Sequence, residues 1–294
     1  MDFPGHDDGE RWHTWCPLLA FSAIFFGATL CAAILTPPVH RVLCSLAPGS
    51  AVAAHALAKP LAKLVDRLRW PFLAIGLVWL LKKENGRPWL RFPKNQGCWK
   101  FFLLGSLLAV TVCCWQMVHA NWHGRPIGLA VLLAFAAAPL VAFLEEIVFR
   151  GLLLHSAERA MGRTMGAVIC SLFFACVHFN IPSGAPPMAT MASVSIFSGL
   201  VAGWDLLTAV FFTFQPIPFL SLFLLGLVLC RWTRRFGSLL PAIGFHWSIA
   251  LAALLFRRLV VGCPAPINSP LCPILLCIVL ICDSHGHHRS TKHP

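Results

Sequence analysis

Two carboxylates and a guanidinium stand together at Glu145, Glu146 and Arg150, at the end of a stretch from Pro126 to Leu144 that carries no other charge. A charge at bilayer depth costs roughly 2.5–3.5 kcal/mol on insertion scales, so three of them in this place need a reason. Successive residues on a helix are turned by about 100°, and the two glutamates therefore point in different directions. Glu146 and Arg150 stand at i, i+4, the spacing and order that suit a carboxylate–guanidinium pair, whereas Glu145 and Arg150 are less well matched. The spacing assigns Glu146 to a brace with Arg150 and leaves Glu145 for other work. A carboxylate in a poorly solvated place is suited to general-base chemistry near neutral pH. An ion pair that merely holds helices together accounts for Glu146 and Arg150 better than it accounts for Glu145.

Two histidines occupy comparable positions. His178 closes the next apolar run, and His246 lies within Leu239-Leu240-Pro241-Ala242-Ile243-Gly244-Phe245-His246-Trp247-Ser248. A single histidine in an apolar helix is most often an interhelical hydrogen-bonder. Glu145, His178 and His246 on three successive core helices are a stronger signal, because such groups face a common interior or a water-filled cavity. A glutamate with two histidines is also a zinc set with water at the open position, although the three come from separate helices with no short ligand spacing. A haem between His178 and His246 is a third reading, which no attachment motif supports.

The elements that must carry these residues are membrane helices. Of 294 residues, 58% are hydrophobic and 12% charged, and the mean hydropathy is +0.75, whereas a soluble domain carries about 25% charged residues. Apolar runs are long and strand-like alternation is absent, which excludes a transmembrane barrel. The net charge of +12 sits in short loops between apolar runs, the pattern of cytoplasmic loops beside anionic lipid, and does not point to nucleic acid. Thirteen cysteines form no CxxC pair, and those inside apolar runs, including Cys170, Cys176 and Cys230, read as small buried hydrophobes. The acidic start (Asp2, Asp7, Asp8, Glu10) reads as the flank of a retained first span and not as a signal peptide.

Along the chain, a first span is expected over 14–35, stopped by Pro37-Pro38. A mixed amphipathic stretch follows at 39–69. Trp70–Leu81 is too short to cross a bilayer as a helix, since about 20 residues are needed, and is expected to re-enter the membrane or lie in its interface unless it borrows residues upstream. A clear span covers 101–119, and the loop 120–125 is expected outside. The charged motif lies near the cytoplasmic end of a helix over 127–155, and a further span covers 165–180. The segment 188–214, interrupted by Gly199, Gly203 and Asp205, is expected to lie on or re-enter the external face, which keeps Arg231, Arg234 and Arg235 inside. Two more spans follow at 217–230 and 238–256, and a short one at 271–282. The tail His285-Gly286-His287-His288 reads as disordered rather than metal-binding.

Glu-Glu-x-x-Phe-Arg-Gly at 145–151, Phe-x-x-x-His at 174–178 and Gly-Ser-Leu-Leu-Pro with a following His at 237–246 resemble the CPBP family. These are the CAAX-processing and bacteriocin-related intramembrane proteases, also called the Abi family, and the resemblance covers roughly 127–256. It implies hydrolysis of a peptide bond within the membrane without a covalent acyl-enzyme and without a cofactor. It maps the water-activating glutamate onto Glu145, the two positioning histidines onto His178 and His246, and the supporting pair onto Glu146 and Arg150. One position departs: the family's last motif usually ends His-x-x-x-Asn, and Ala250 stands where the oxyanion-stabilising asparagine would be. Losing one oxyanion donor costs on the order of 10²–10³ in rate, and Asn180 or Ser248 could substitute, although Ser248 is turned roughly 200° from His246.

The expectation is an all-α, polytopic transmembrane bundle of about seven or eight spans. An N-terminal membrane region at 1–125 precedes a catalytic core at 126–256 and a C-terminal span and tail at 257–294. Its function is expected to be that of an intramembrane endopeptidase acting on a membrane-associated protein or peptide, in CAAX-type processing or propeptide maturation. The membrane would be a bacterial plasma membrane, or that of the endoplasmic reticulum if the chain is eukaryotic. The opposing reading is a weakly active or inactive protein of the same fold serving immunity, scaffolding or regulation, with Ala250 as its basis. A transporter fits less well, since the charges cluster in one half and no internal repeat is found.

Overall fold

The computed structural model describes residues 8–83, 98–119, 123–124, 129–178, 187–191, 193–261 and 268–290. It is all-α, with one minimal pairing of two-residue strands. The helices are α1 (Asp8–Leu46), α2 (Ala51–Leu57), α3 (Leu61–Lys83), α4 (Cys98–His119), α5 (Leu129–Glu146), α6 (Leu154–Met161), α7 (Arg163–Val177), α8 (Ile196–Phe212), α9 (Pro216–Phe236), α10 (Leu240–Leu259) and α11 (Leu271–Ser290). The strands β1 (His123–Gly124) and β2 (Val260–Val261) pair antiparallel, with His123 opposite Val261. Among the described residues, three helices are long and apolar enough to cross a bilayer, at Leu19–Gly49, Trp99–Gln116 and Pro216–Phe236. Beyond these, the seven or eight spans expected from the sequence rest on shorter apolar helices at Arg163–Val177, Ile196–Thr208, Leu240–Leu255 and Leu271–Cys282.

Packing groups the chain into two units: one comprises 1–85 with 176–214, and the other 86–175 with 215–294. This grouping differs from the sequential division at 126 and 256. In the first unit α1, α3 and α8 pack on one another around Ala32, Leu61, Val65, Met188, Ala202 and Leu206. Trp70–Leu81 does borrow residues upstream, since α3 starts at Leu61. Within α3, Arg69 is buried, pairs with Asp66 at 2.8 Å and lies over the ring of Phe25 at 5.2 Å.

Two expected breaks in this unit are not breaks. Pro37 and Pro38 do not stop α1, which runs unbroken to Leu46. A proline removes the donor to the carbonyl four residues back, so Pro37 leaves the Ala33 carbonyl without its helical N–H. That carbonyl is where α8 comes closest: a Cβ at Gly199 would collide with it. Thr36 turns its hydroxyl onto the Ala32 carbonyl at 2.8 Å, binding the same turn. Gly199 and Gly203, which looked like interruptions, are the packing face of α8. A Cβ at Gly203 would sit 3.4 Å from the Thr29 methyl and 3.7 Å from the Ala33 methyl. Small residues four apart let helices approach in just this way.

In the second unit α10 packs on α4, α5 and α9, and α11 packs on α9. Gly105 sets the α4–α10 approach, since a Cβ there would collide with Ser248 Oγ and come within 2.8 Å of the Phe245 carbonyl. Phe101 of α4 packs against Trp232 and Phe236 of α9, tilted to the first and edge-on to the second, at centroid distances of 4.9 and 5.2 Å. The basic residues expected in a loop, Arg231, Arg234 and Arg235, are the last turns of α9, which Gly237 ends at φ +57°. Arg234 binds Glu158 and the Arg163 carbonyl, pinning α9 to the α6–α7 corner, where Gly162 has φ +81°. The histidine tract near the C-terminus continues α11 as helix to Ser290, which corrects the expectation of disorder there.

The helix expected over 127–155 is also corrected. It is α5, then a π-helical turn at Ile147–Leu153, then α6. Residues 127 and 128 lie outside the described residues.

Candidate active site

The charged motif spans the junction between α5 and the π-helical turn. In that turn the Leu154 N–H reaches back five residues to the Phe149 carbonyl. The wider turn buries every residue from Val148 to Leu154. π-Helical turns inside α-helices are rare and recur at functional sites. The Phe149 carbonyl is shared, since the Cys170 thiol of α7 also donates to it at 3.2 Å.

Four ionisable side chains of the second unit meet here. Glu146 is fully buried and binds two partners through one oxygen: Arg150 Nη1 at 2.9 Å and His246 Nδ1 at 2.7 Å. The other side of the same imidazole faces the neighbouring glutamate, with His246 Nε2 3.7 Å from Glu145 Oε2. Glu145, Arg150 and His246 are 8%, 2% and 5% exposed, so the cluster is shielded from bulk water. An ionised carboxylate only accepts hydrogen bonds. Glu146 paired to Arg150 therefore requires that His246 Nδ1 carry a proton and donate it, and the tautomer of the neutral ring then leaves Nε2 as the basic nitrogen. At 3.7 Å, Nε2 and the Glu145 carboxylate are beyond direct hydrogen-bond distance.

Apolar surroundings fix the geometry. The Arg150 guanidinium lies over the Phe174 ring at 4.3 Å, and the Phe174 ring meets His246 edge-on at 5.6 Å and Phe149 at 5.2 Å. Phe174 of α7 thus touches the arginine and the histidine together. His178 follows it by four residues in the turn that ends α7 and is half-buried; residues so spaced share a helix face. Asn180 lies outside the described residues. Of the residues read as a zinc set, Glu145 and His246 lie in the second unit and His178 in the first unit's share of the chain.

Ala250 is one turn beyond His246 and packs against Ala134, Ala138 and Leu251. Ser248 donates to the Phe245 carbonyl at 2.7 Å and contacts α4 at Gly105, so its hydroxyl is engaged away from the glutamates. Sequence reasoning missed the Glu146–His246 bond, which a single chain does not signal across 100 residues. It also missed the polar role of Cys170, since cysteine in an apolar run is rightly taken first as a small hydrophobe.

Residues 127–252 match the family described as Type II CAAX prenyl endopeptidase Rce1-like. No curated protein and no solved structure is matched by the chain. The matched residues contain the glutamate pair, Arg150, both histidines and Ala250. Over residues 127–252 the chain is therefore similar to the Rce1-like family of type II CAAX prenyl endopeptidases, membrane-embedded proteases of the wider CPBP group.

Proposed function

We propose that the chain is a multi-pass intramembrane endopeptidase that hydrolyses a peptide bond near the C-terminus of a membrane-associated, CAAX-type protein, with Glu145 as the general base. Glu145 takes a proton from water, and the hydroxide adds to the scissile carbonyl carbon. The resulting oxyanion collapses as the amine leaves, taking the proton that Glu145 has held. His246 and His178 position the water and the carbonyl, and Glu146 with Arg150 holds His246. The observation that carries this reading is the suspension of His246 between the two glutamates, 2.7 Å from Glu146 and 3.7 Å from Glu145. His178 enters the proposal through its position one turn from Phe174, together with the Phe-x-x-x-His motif.

The test is turnover of a prenylated CAAX peptide by the full chain in lipid nanodiscs. Glu145→Gln is expected to lower it by about 10²–10⁴, the usual contribution of a general base. Full cleavage by that variant would sink the assignment. Glu145→Ala in native membranes should retain the substrate for identification by mass spectrometry. Zinc is the competing arrangement for Glu145, His178 and His246. Turnover that survives prolonged chelation supports the glutamate mechanism, whereas loss with recovery on added zinc supports the metal.

A second reading, a weakened or inactive member of the family, is favoured by the apolar packing of Ala250 where the family usually has asparagine. Ala250→Asn separates the two. A gain in turnover on the order of 10²–10³, the worth of one oxyanion donor, marks a crippled enzyme, and no turnover by either form marks a binding protein.

A further inference from the structure

Behind the ion pair, on the side of Arg150 that the proposed chemistry does not use, two thiols from different helices meet. Cys170 of α7 and Cys230 of α9 are both fully buried, and each is a close electrostatic neighbour of the other and of Arg150. The contact has a built geometry. One turn before Cys230, Gly226 lets α9 come close to α7: a Cβ at Gly226 would lie 2.8 Å from the Cβ of Ser171. Ser171 Oγ is itself 3.8 Å from Cys230 Sγ. Disulfides need Cα atoms about 4.4–6.8 Å apart, a separation that helices reach only where a glycine or other small residue removes the side chain between them. The pair is also connected to the site, because the Cys170 thiol donates at 3.2 Å to the Phe149 carbonyl, the acceptor that closes the π-helical turn with Leu154.

We infer that Cys170 and Cys230 form a redox-active dithiol whose closure to a disulfide releases the Phe149 carbonyl and loosens the turn that carries Arg150. The two S–H bonds break and one S–S bond forms. Two electrons and two protons pass to a two-electron oxidant of the quinone or azo class, which can enter the bilayer. Oxidised, Cys170 has no proton to donate to Phe149, so the π-helical turn keeps only its backbone bond. A dithiol reductant restores the starting state. The consequence for peptide hydrolysis, a reversible fall in turnover, rests on the function proposed above; the disulfide and the loosening of the turn do not.

The test uses the full chain in nanodiscs treated with the azo oxidant diamide. Differential alkylation and mass spectrometry should find a Cys170–Cys230 linked peptide that dithiothreitol removes. Hydrogen–deuterium exchange over 147–154 should rise at least several-fold in the oxidised form and return on reduction. Cys170→Ser and Cys230→Ser should each show no rise on diamide treatment, whatever their basal exchange. Absence of the linked peptide, or a linked peptide with unchanged exchange, overturns the inference. Where turnover is measurable, oxidation should lower it in the wild type and not in the two serine variants. A linked, loosened turn in a chain that cleaves no prenylated peptide would count against the protease reading and leave the dithiol standing.

Discussion

His246 faces both members of the glutamate pair, and the two contacts differ in kind. The one to Glu146 is a 2.7 Å hydrogen bond between fully shielded groups, and the one to Glu145 is a 3.7 Å approach. Spacing alone divided the pair into a brace and a working group; His246 cuts across that division, because the brace also sets the imidazole. Removing one partner of a buried ion pair leaves the other charged and unpaired, which costs about 3–5 kcal/mol. Glu146→Gln strands Arg150 in this way and is expected to lower the unfolding temperature in detergent clearly. Glu145→Gln leaves the Glu146–Arg150 pair intact and should hold the unfolding temperature near that of the wild type while turnover is lost. Equal destabilisation by the two substitutions would refute the separation of roles. The glutamates, Arg150 and His246 were legible in the sequence because ionisable residues in apolar runs are conspicuous. Cys170 and Cys230 were not, because a thiol that hydrogen-bonds has the same sequence signature as one that merely fills space.

At the scale of elements, the errors share a cause. Apolar runs located nearly every helix, but local rules placed their ends and breaks, and tertiary partners overrode those rules. Pro37-Pro38 should have ended α1, yet the Ala33 carbonyl they leave open is covered by the glycine face of α8. The π-helical turn at 147–153 had no signal, since no residue type demands an i, i+5 bond and the support for it comes from Cys170 on another helix. Gly27 and Gly199 make the α1–α8 contact testable. Gly27 has open space around its Cβ position, whereas Gly199 meets the Ala33 backbone. Gly27→Ala is expected to be neutral or to stabilise by about 0.5–1 kcal/mol, the helix preference of alanine over glycine. Gly199→Ala forces an overpacked contact and should destabilise by roughly 1–3 kcal/mol. Chemical unfolding of the two variants beside the wild type measures the difference, and equal behaviour would mean that α8 does not depend on that approach.

At the scale of the whole membrane protein, the second unit has two ends of unequal charge. One end gathers the α6–α7 corner, the end of α9 and the start of α4, joined by Arg234 on Glu158 and by Phe101 on Trp232. It carries Lys100, Arg159, Arg163, Arg231, Arg234 and Arg235 against the single acid Glu158. The other end holds the β1–β2 pairing of His123–Gly124 with Val260–Val261, where α10 ends on Arg257 and Arg258, two basic residues against the six of the first end. The chain from Leu129 through α5, the π-helical turn and α6 runs from the second end to the first, and is longer than the roughly 20 residues a crossing needs. In the multi-pass arrangement proposed above, Glu145 lies about 24 Å along α5 from Leu129 at 1.5 Å per residue, toward the basic end of a hydrocarbon core roughly 30 Å thick. The positive-inside tendency puts the basic end in the cytoplasm. An epitope inserted after Gly124 and another at the exposed Gly162 corner should therefore be reached by antibody from opposite sides of sealed membranes, Gly162 from the cytoplasmic side. Both epitopes on one side would mean that α5 does not cross, and would take away the membrane depth on which a buried, water-excluded glutamate site depends.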